Sequence, residues 1–130
     1  QYYVQSRELG IPGLGPREWR TLMIWKNEGE DKIIITYEDT KDLDEDIPTS
    51  NVVGSAKTTW IFERLPSIDG IPQTRVSFAS RVDIAIPLPK FALQILAVKF
   101  CRSIVGMRRK FDKSFQLDQA RRNRIISQIR

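Results

Sequence analysis

Two segments of the chain alternate between apolar or small and polar side chains, which is the pattern of half-buried strands. The segments are residues 54–65 and residues 73–84. One face would carry Ala56, Thr58, Trp60 and Phe62 from the first segment and Thr74, Val76, Phe78, Ser80, Val82 and Ile84 from the second. Because successive side chains of a strand point to opposite faces, this alternation predicts an antiparallel sheet with one apolar face and one wet face.

Two shorter apolar runs precede these segments and predict two more strands. They are residues 20–27 and residues 32–38, separated by Glu-Gly-Glu-Asp at positions 28–31. A gap of four residues favours an antiparallel hairpin, since a parallel return would need a longer crossover. Residues 1–16 contain three glycines and two prolines, and we expect an irregular N-terminal segment there.

A long helix is predicted after the strands. Pro87 and Pro89 end the last strand and are tolerated at a helix start, and neither proline nor a turn cluster interrupts residues 90–113. Apolar residues recur there at steps of three and four, at Leu93, Leu96, Ala97, Phe100, Ile104, Met107 and Phe111. Residues 116–130 could form a second helix, although their apolar spacing is ragged. The order of four strands followed by a helix predicts an α+β fold without the βαβ alternation of nucleotide-binding sheets.

Charge is concentrated at the end of the chain. Residues 108–130 hold eight basic side chains against two acidic ones, a net charge of +6, whereas the other 107 residues have a net charge of −1. Six carboxylates lie between Glu38 and Asp46. This stretch lacks the glycine that an EF-hand calcium loop needs, so we expect a solvated acidic loop.

Most catalytic chemistry lacks its residues. The chain has no histidine and a single cysteine, Cys101, so a Ser–His or Cys–His nucleophile pair and a structural zinc site cannot be assembled within it. We expect Cys101 to be a buried, inert thiol. No phosphate-binding glycine motif is present. These observations predict a protein that is not an enzyme and has no metal ion or cofactor.

Three stretches resemble the START (StAR-related lipid transfer) family and its helix-grip relatives. Residues 15–26 look like the family's "PRDF" entry to a central strand. Residues 54–65 look like its strand ending in "W-I-E-P-L", and residues 82–89 look like its "D-x-x-G-x-I-P" junction before the closing helix, with Ala85 where the family commonly has glycine. The similarity covers residues 15–113, and each motif is weakly specific, so the order and spacing of the three give the resemblance its weight.

The resemblance implies a curved antiparallel sheet, with about four strands in this chain, packed against one long C-terminal helix. It divides the chain into residues 1–16, a START-like C-terminal portion at residues 17–113 and a basic tail at residues 114–130. It also implies that the N-terminal part of the family's domain is missing. Four strands and one helix would leave an open sheet edge, so we expect a separate N-terminal part, a second copy or another subunit to complete the fold.

The function implied by the resemblance is binding or transfer of one lipid or sterol-like molecule between sheet and helix. The candidate lining residues are Thr58, Trp60, Phe62, Val76, Phe78, Ser80, Val82, Leu93, Leu96, Phe100 and Ile104. The same residues could instead form a plain core, in a START-like structural or interaction subunit without cargo.

The basic cluster Arg108, Arg109 and Lys110 could contact an anionic membrane, or could be solvated residues that suit a helix C-terminus. Nucleic-acid binding is a weaker use of the same charges, because no basic sheet face with aromatic residues supports it. We expect an intracellular location, either cytoplasmic or at a membrane surface.

Overall fold

The sheet and helices are described from a computed structural model, which covers residues 1–129. The strands are β1 (Tyr2–Arg7), β2 (Arg17–Asn27), β3 (Lys32–Asp39), β4 (Val52–Val53), β5 (Ser55–Ile68) and β6 (Ile71–Asp83), and the helices are α1 (Lys90–Lys110) and α2 (Ser114–Ile129). The predicted α+β class is confirmed, and Arg130 of the predicted tail lies outside the described residues.

The strands form one curved, mostly antiparallel sheet. Its order is β1-β2-β3-β5-β6, and the two-residue β4 pairs with β2 in parallel, beside the acidic loop. Each long strand therefore lies beside its neighbour along the chain, with only the β3–β5 connection containing another strand. The two edge strands are β1 and β6.

The register of the strands confirms the predicted faces of residues 54–65 and 73–84. Thr58 pairs with Ser80 and Trp60 pairs with Phe78, while Ile35 of β3 lies beside Trp60. We call this side of the sheet the inner face, because α1 packs against it. Paired residues of an antiparallel sheet share a face, so the apolar alternation of β5 and β6 produces one continuous apolar surface.

The N-terminal segment differs from the prediction. Tyr2–Arg7 form the edge strand β1, which pairs with β2 from Tyr2–Leu22 to Arg7–Arg17. The glycines and prolines begin only at Gly10, so residues 2–7 keep all their backbone donors and include the strand-favouring Tyr, Tyr and Val. The prediction of an irregular segment was wrong for residues 2–7, because the glycines and prolines that indicate turns begin only after them.

The helix α1 crosses the inner face and packs on it at one end. Ala92 and Leu96 are its buried residues, and Leu96 joins Leu9, Trp19 and Ile84 in a small core. The Trp19 and Phe100 rings meet edge-on at 6.4 Å between centroids. A cluster of four buried residues is a small core for residues 1–129, so the position of α1 depends strongly on these contacts.

The helix α2 contacts the turn between β5 and β6 through two arginines. Arg124 forms an ion pair with Asp69 at 2.5 Å, and Arg121 lies 3.5 Å from the same carboxylate. Between the helices, Lys113 Nζ lies 3.4 Å from the Pro72 carbonyl oxygen. The second helix predicted at residues 116–130 is present as Ser114–Ile129.

A buried polar network holds the acidic loop against the opposite face of β2. The Arg20 guanidinium forms a 2.9 Å ion pair with Glu18, a second with Asp44, and donates to the carbonyls of Leu43 and Ile47. The second Glu18 carboxylate oxygen accepts hydrogen bonds from the Thr49 hydroxyl at 2.7 Å and from the side-chain amide of Asn51 at 3.2 Å. The loop is therefore anchored by charge-assisted hydrogen bonds, which are stronger than neutral ones.

The substitution Glu18→Gln tests this network. The variant leaves the buried Arg20 with one carboxylate partner fewer. We expect the free energy of unfolding, measured by urea denaturation, to fall by about 2–4 kcal/mol, because the buried guanidinium then lacks the charge that compensates for its loss of hydration. The matched control Glu63→Gln removes an exposed pair with Arg75 and should cost far less. Equal losses in the two variants would contradict a stabilising role for the network.

The same variant should lose a component of the pH dependence of stability. The hydrogen bond from Thr49 and the contacts with Arg20 hold the pKa of Glu18 below its ordinary value of 4.5. The ionised carboxylate therefore stabilises the fold fully above pH 4.5, and this stabilisation is lost as the pH falls through the lowered folded pKa. In denaturation curves measured across this range, Glu18→Gln should approach the wild-type stability as the pH falls.

A glycine at the start of β5 permits the close packing of the core tryptophan. A Cβ at Gly54 would lie 2.6 Å from the Asp83 carbonyl oxygen and 2.9 Å from Trp19 Nε1. We expect Gly54→Ala to lower the free energy of unfolding by about 1–3 kcal/mol through overpacking. In α1, a Cβ at Gly106 would have no other atom within 4 Å. Gly106→Ala should therefore raise the free energy of unfolding by about 1 kcal/mol, because alanine has a higher helix propensity than glycine. Thermal unfolding of both variants measures these opposite signs.

Candidate functional site

A cleft of about 970 Å³ lies between the inner face and α1. It is lined by residues of β1, β2, β3, β5, β6 and α1 and by the start of the connection between β1 and β2. This volume falls at the upper end of the range for small-molecule pockets. The helix forms one wall of the cleft and the curved sheet forms the other.

The sheet wall is apolar and aromatic at its centre. The Trp60 and Phe78 rings lie 4.5 Å apart between centroids, and Trp60 stacks nearly parallel to Phe62 at 6.3 Å. Ala56 and Val82 continue this wall toward the core, and Leu96 and Phe100 face it from α1. The alternation of β5 and β6 thus places its aromatic residues where the helix leaves space.

A few polar groups interrupt this apolar surface. The hydroxyls of Thr58 and Ser80 are 2.8 Å apart and form a hydrogen bond across β5 and β6. Tyr3 and Tyr37 meet edge-on at 5.9 Å, and burial raises the pKa of Tyr37, with a smaller contribution from Tyr3. The Tyr37 phenol therefore stays neutral at physiological pH and can donate a hydrogen bond.

Three cations line the cleft where α1 approaches the edge strand. They are Arg7 at the end of β1 and Lys99 and Arg102 of α1, and Glu8 is the acidic residue of the lining. The Arg7 guanidinium lies over the Phe100 ring at 5.7 Å, and Lys99 Nζ donates to the Leu9 carbonyl at 3.0 Å. The cleft thus has an apolar wall and a cationic opening.

Seven of the eleven predicted ligand-contacting residues line this cleft. They are Thr58, Trp60, Phe78, Ser80, Val82, Leu96 and Phe100. Phe62 and Val76 lie on the inner face, paired with each other beyond the cleft, while Ile104 is half-buried on α1 outside it. Leu93 is 49% exposed, because the buried side of α1 is centred on Ala92 and Leu96 rather than on the predicted stripe.

The sequence reasoning missed the contributions of β1, β2 and β3. The prediction of an irregular segment at residues 1–16 assigns no sheet face to Tyr3 or Arg7, although both line the cleft. Trp19, Thr21 and Tyr37 belong to strands for which the sequence analysis assigns no faces. Alternation could have identified Trp19, Thr21 and Met23 as one face of β2. The cations of α1 lie off the apolar stripe, so no periodic signal marks them as lining residues.

Part of the inner face lies outside the cleft and is exposed. Trp25 is 61% exposed and Ile33 is 43% exposed, although the strand register places both on the apolar side of the sheet. The helix therefore covers only the part of the sheet near the core and the cleft.

The predicted membrane-contact residues Arg108, Arg109 and Lys110 form the exposed last turn of α1. The side of α1 that faces away from the cleft carries Phe91, Ile95, Val98 and Val105, which are 49–67% exposed. We call these four residues the outer stripe. Cys101, predicted to be buried, is exposed, because it lies on this solvent side of the helix rather than on the Leu96 side.

Within residues 1–129, neither helix is long and apolar enough to cross a membrane. Comparisons of the chain with protein-family models, with curated proteins and with solved structures found no match.

Proposed function

We propose that this protein binds one lipid-like molecule in the cleft between its sheet and α1, without catalysis. The observation that carries the proposal is the cleft of about 970 Å³ with the Trp60–Phe78 pair in its wall. Binding sites for apolar molecules are concave, mostly apolar and supplied with a few polar groups that fix orientation. The Thr58–Ser80 hydroxyl pair and Tyr37 are such groups here.

The START-like resemblance supports the same proposal. The order of strands followed by a closing helix agrees with a helix-grip architecture. Ala85, at the position where the family commonly has glycine, has a φ of 57°, which is in the left-handed region that favours glycine. The backbone at the junction before α1 thus has the conformation for which a glycine would be suited. We propose a START-like domain on these grounds.

The competing proposal is a START-like structural or interaction subunit without cargo. It draws support from the exposed inner-face residues Trp25 and Ile33, which a missing N-terminal part, a second copy or another subunit would cover. A cargo-free subunit would purify without a bound small molecule and would be unstable without its partner. A lipid carrier would retain ligand in its cleft.

Blocking the cleft should separate these two proposals. Ser80 lines the cleft and Ser77 lies on the opposite face of the same strand, so Ser80→Phe fills the cleft whereas Ser77→Phe does not. We expect native mass spectrometry to detect a bound lipid-like molecule with the wild-type chain and with Ser77→Phe, and its loss in Ser80→Phe. The large side chain occupies the space that the ligand needs.

Thermal unfolding of both variants provides the control for folding. Retention of the molecule by a folded Ser80→Phe variant would contradict binding in the cleft. Absence of any bound molecule from the wild-type chain, together with no binding of added lipid, would favour the cargo-free subunit.

We also propose that α1 contacts an anionic membrane surface when ligand is exchanged. The helix carries six basic residues and no acidic one, and its outer stripe exposes apolar side chains between them. A second copy of the chain on this stripe would bring like charges together. An anionic lipid surface offers opposite charge to the basic residues and an apolar interior to the stripe.

Sedimentation with vesicles tests this contact. Replacing Arg108, Arg109 and Lys110 by glutamine should lower binding to phosphatidylcholine vesicles containing phosphatidylserine on the order of 10- to 100-fold, since each cation contributes about 1 kcal/mol near an anionic surface. The matched control replaces Arg64, Arg75 and Arg81, which are exposed cations of β5 and β6, and should retain binding. Equal losses in both triple variants would indicate a general charge effect and contradict a specific role for α1.

A further inference from the structure

The cations of the cleft come together from distant parts of the sequence. Arg7 is the last residue of the edge strand β1, whereas Lys99 and Arg102 are three positions apart on α1 and therefore share one side of that helix. All three line the same cleft, and all three are exposed to solvent. The acidic residue of this lining is Glu8, so the opening has an excess of positive charge.

Contacts within the protein fix two of these cations in place. The Arg7 guanidinium lies 5.7 Å from the centre of the Phe100 ring, and the Lys99 ammonium donates to the Leu9 carbonyl oxygen at 3.0 Å. Phe100 belongs to the apolar lining, so Arg7 lies directly where that lining meets the opening.

No carboxylate of the described residues forms an ion pair with any of the three cations. Within residues 1–129, none of the salt bridges involves Arg7, Lys99 or Arg102, whereas Arg20, Arg75 and Arg124 each have an acidic partner. An arginine has five N–H donors, and Arg7 and Arg102 donate no side-chain hydrogen bond within the same residues. Their donors are therefore available to a ligand.

We propose that the ligand is an anionic amphiphile, with a carboxylate or phosphate head held by Arg7, Lys99 and Arg102 and an apolar chain against Trp60 and Phe78. This inference rests on the proposed function and specifies the ligand class of the same cleft. Hydrogen bonds between a cation and an anion are about twice as strong as neutral ones. A neutral amphiphile would fill the apolar part but leave the cations without a partner.

Displacement of a neutral fluorescent dye, Nile red, from the wild-type chain tests the proposal. The competitors are oleate, oleoyl lysophosphatidate and monoolein, which have the same acyl chain and differ in the head. At a pH that ionises oleate, we expect the dissociation constant of at least one anionic competitor, obtained from the displacement curve, to be about tenfold lower than that of monoolein. The difference between oleate and lysophosphatidate then distinguishes a carboxylate head from a phosphate head.

The double variant Arg7→Gln, Arg102→Gln should lose this tenfold preference while binding monoolein as the wild type does. The matched control Arg75→Gln, Arg81→Gln changes the net charge equally at exposed positions of β6 outside the cleft and should keep the preference. Circular dichroism confirms the folding of both variants.

The outcomes separate this inference from the proposed function. Equal displacement by monoolein and both anions would overturn the anionic ligand and leave binding of a lipid-like molecule in place. Retention of the preference in the Arg7, Arg102 variant would also overturn the role of these cations. Failure of all three amphiphiles to displace the dye would overturn the inference and the proposed function together.

Discussion

One helix must cover the apolar inner face of a sheet that is wider than the helix. The contact between α1 and the sheet is concentrated where Leu96 and Phe100 meet Trp19, and it depends on Gly54 leaving room for the indole ring. From this point the helix runs over the sheet to the turn that contains Asp69, where α2 is held by Arg121 and Arg124. Contacts thus hold the helical layer at the Trp19 core and, through α2, at the Asp69 turn, and the part of α1 that lines the cleft lies between positions 96 and 103.

The remaining features of the molecule follow from this arrangement. The outer side of β2 is protected by the acidic loop, which Arg20 and Glu18 hold through buried charge-assisted contacts. The inner side is protected only where α1 reaches it, so Trp25 and Ile33 remain exposed. The lipid-like molecule that we propose would cover one part of this apolar face and leave Trp25 and Ile33 exposed.

Local patterns in the sequence predict much of the fold. Apolar residues at every second position of β5 and β6 identify the inner face. The structure agrees, because Trp60 and Phe78 are paired and their side chains lie on the same side of the sheet. The prolines before Lys90 and the steps of three and four predict α1. The sequence does not predict the edge strand β1, since its pairing with β2 depends on residues ten to twenty positions away rather than on the composition near Gly10.

The candidate site was only partly predictable for a related reason. Residues such as Trp60 and Leu96 could be found because they belong to periodic apolar faces. Arg7 and Arg102 are polar residues on different elements, and only the tertiary contact between β1 and α1 makes them neighbours of one cleft. The buried side of α1 is also rotated slightly from the predicted stripe, so Ala92 is buried and Leu93 is exposed. Apolar spacings of three and four residues do not determine the rotation of a helix about its axis this finely.

The indole N–H resonances of the three tryptophans can locate the lipid-like molecule that we propose between the sheet and α1. Trp60 lines the cleft, whereas Trp25 lies on the same face outside it and is exposed to solvent. In a titration of the labelled chain with oleate, followed by NMR, we expect the resonances of the Trp60 indole and of the Phe78 and Leu96 amides to shift while that of the Trp25 indole does not. Shifts at Trp25 without shifts at Trp60 would contradict binding in the cleft.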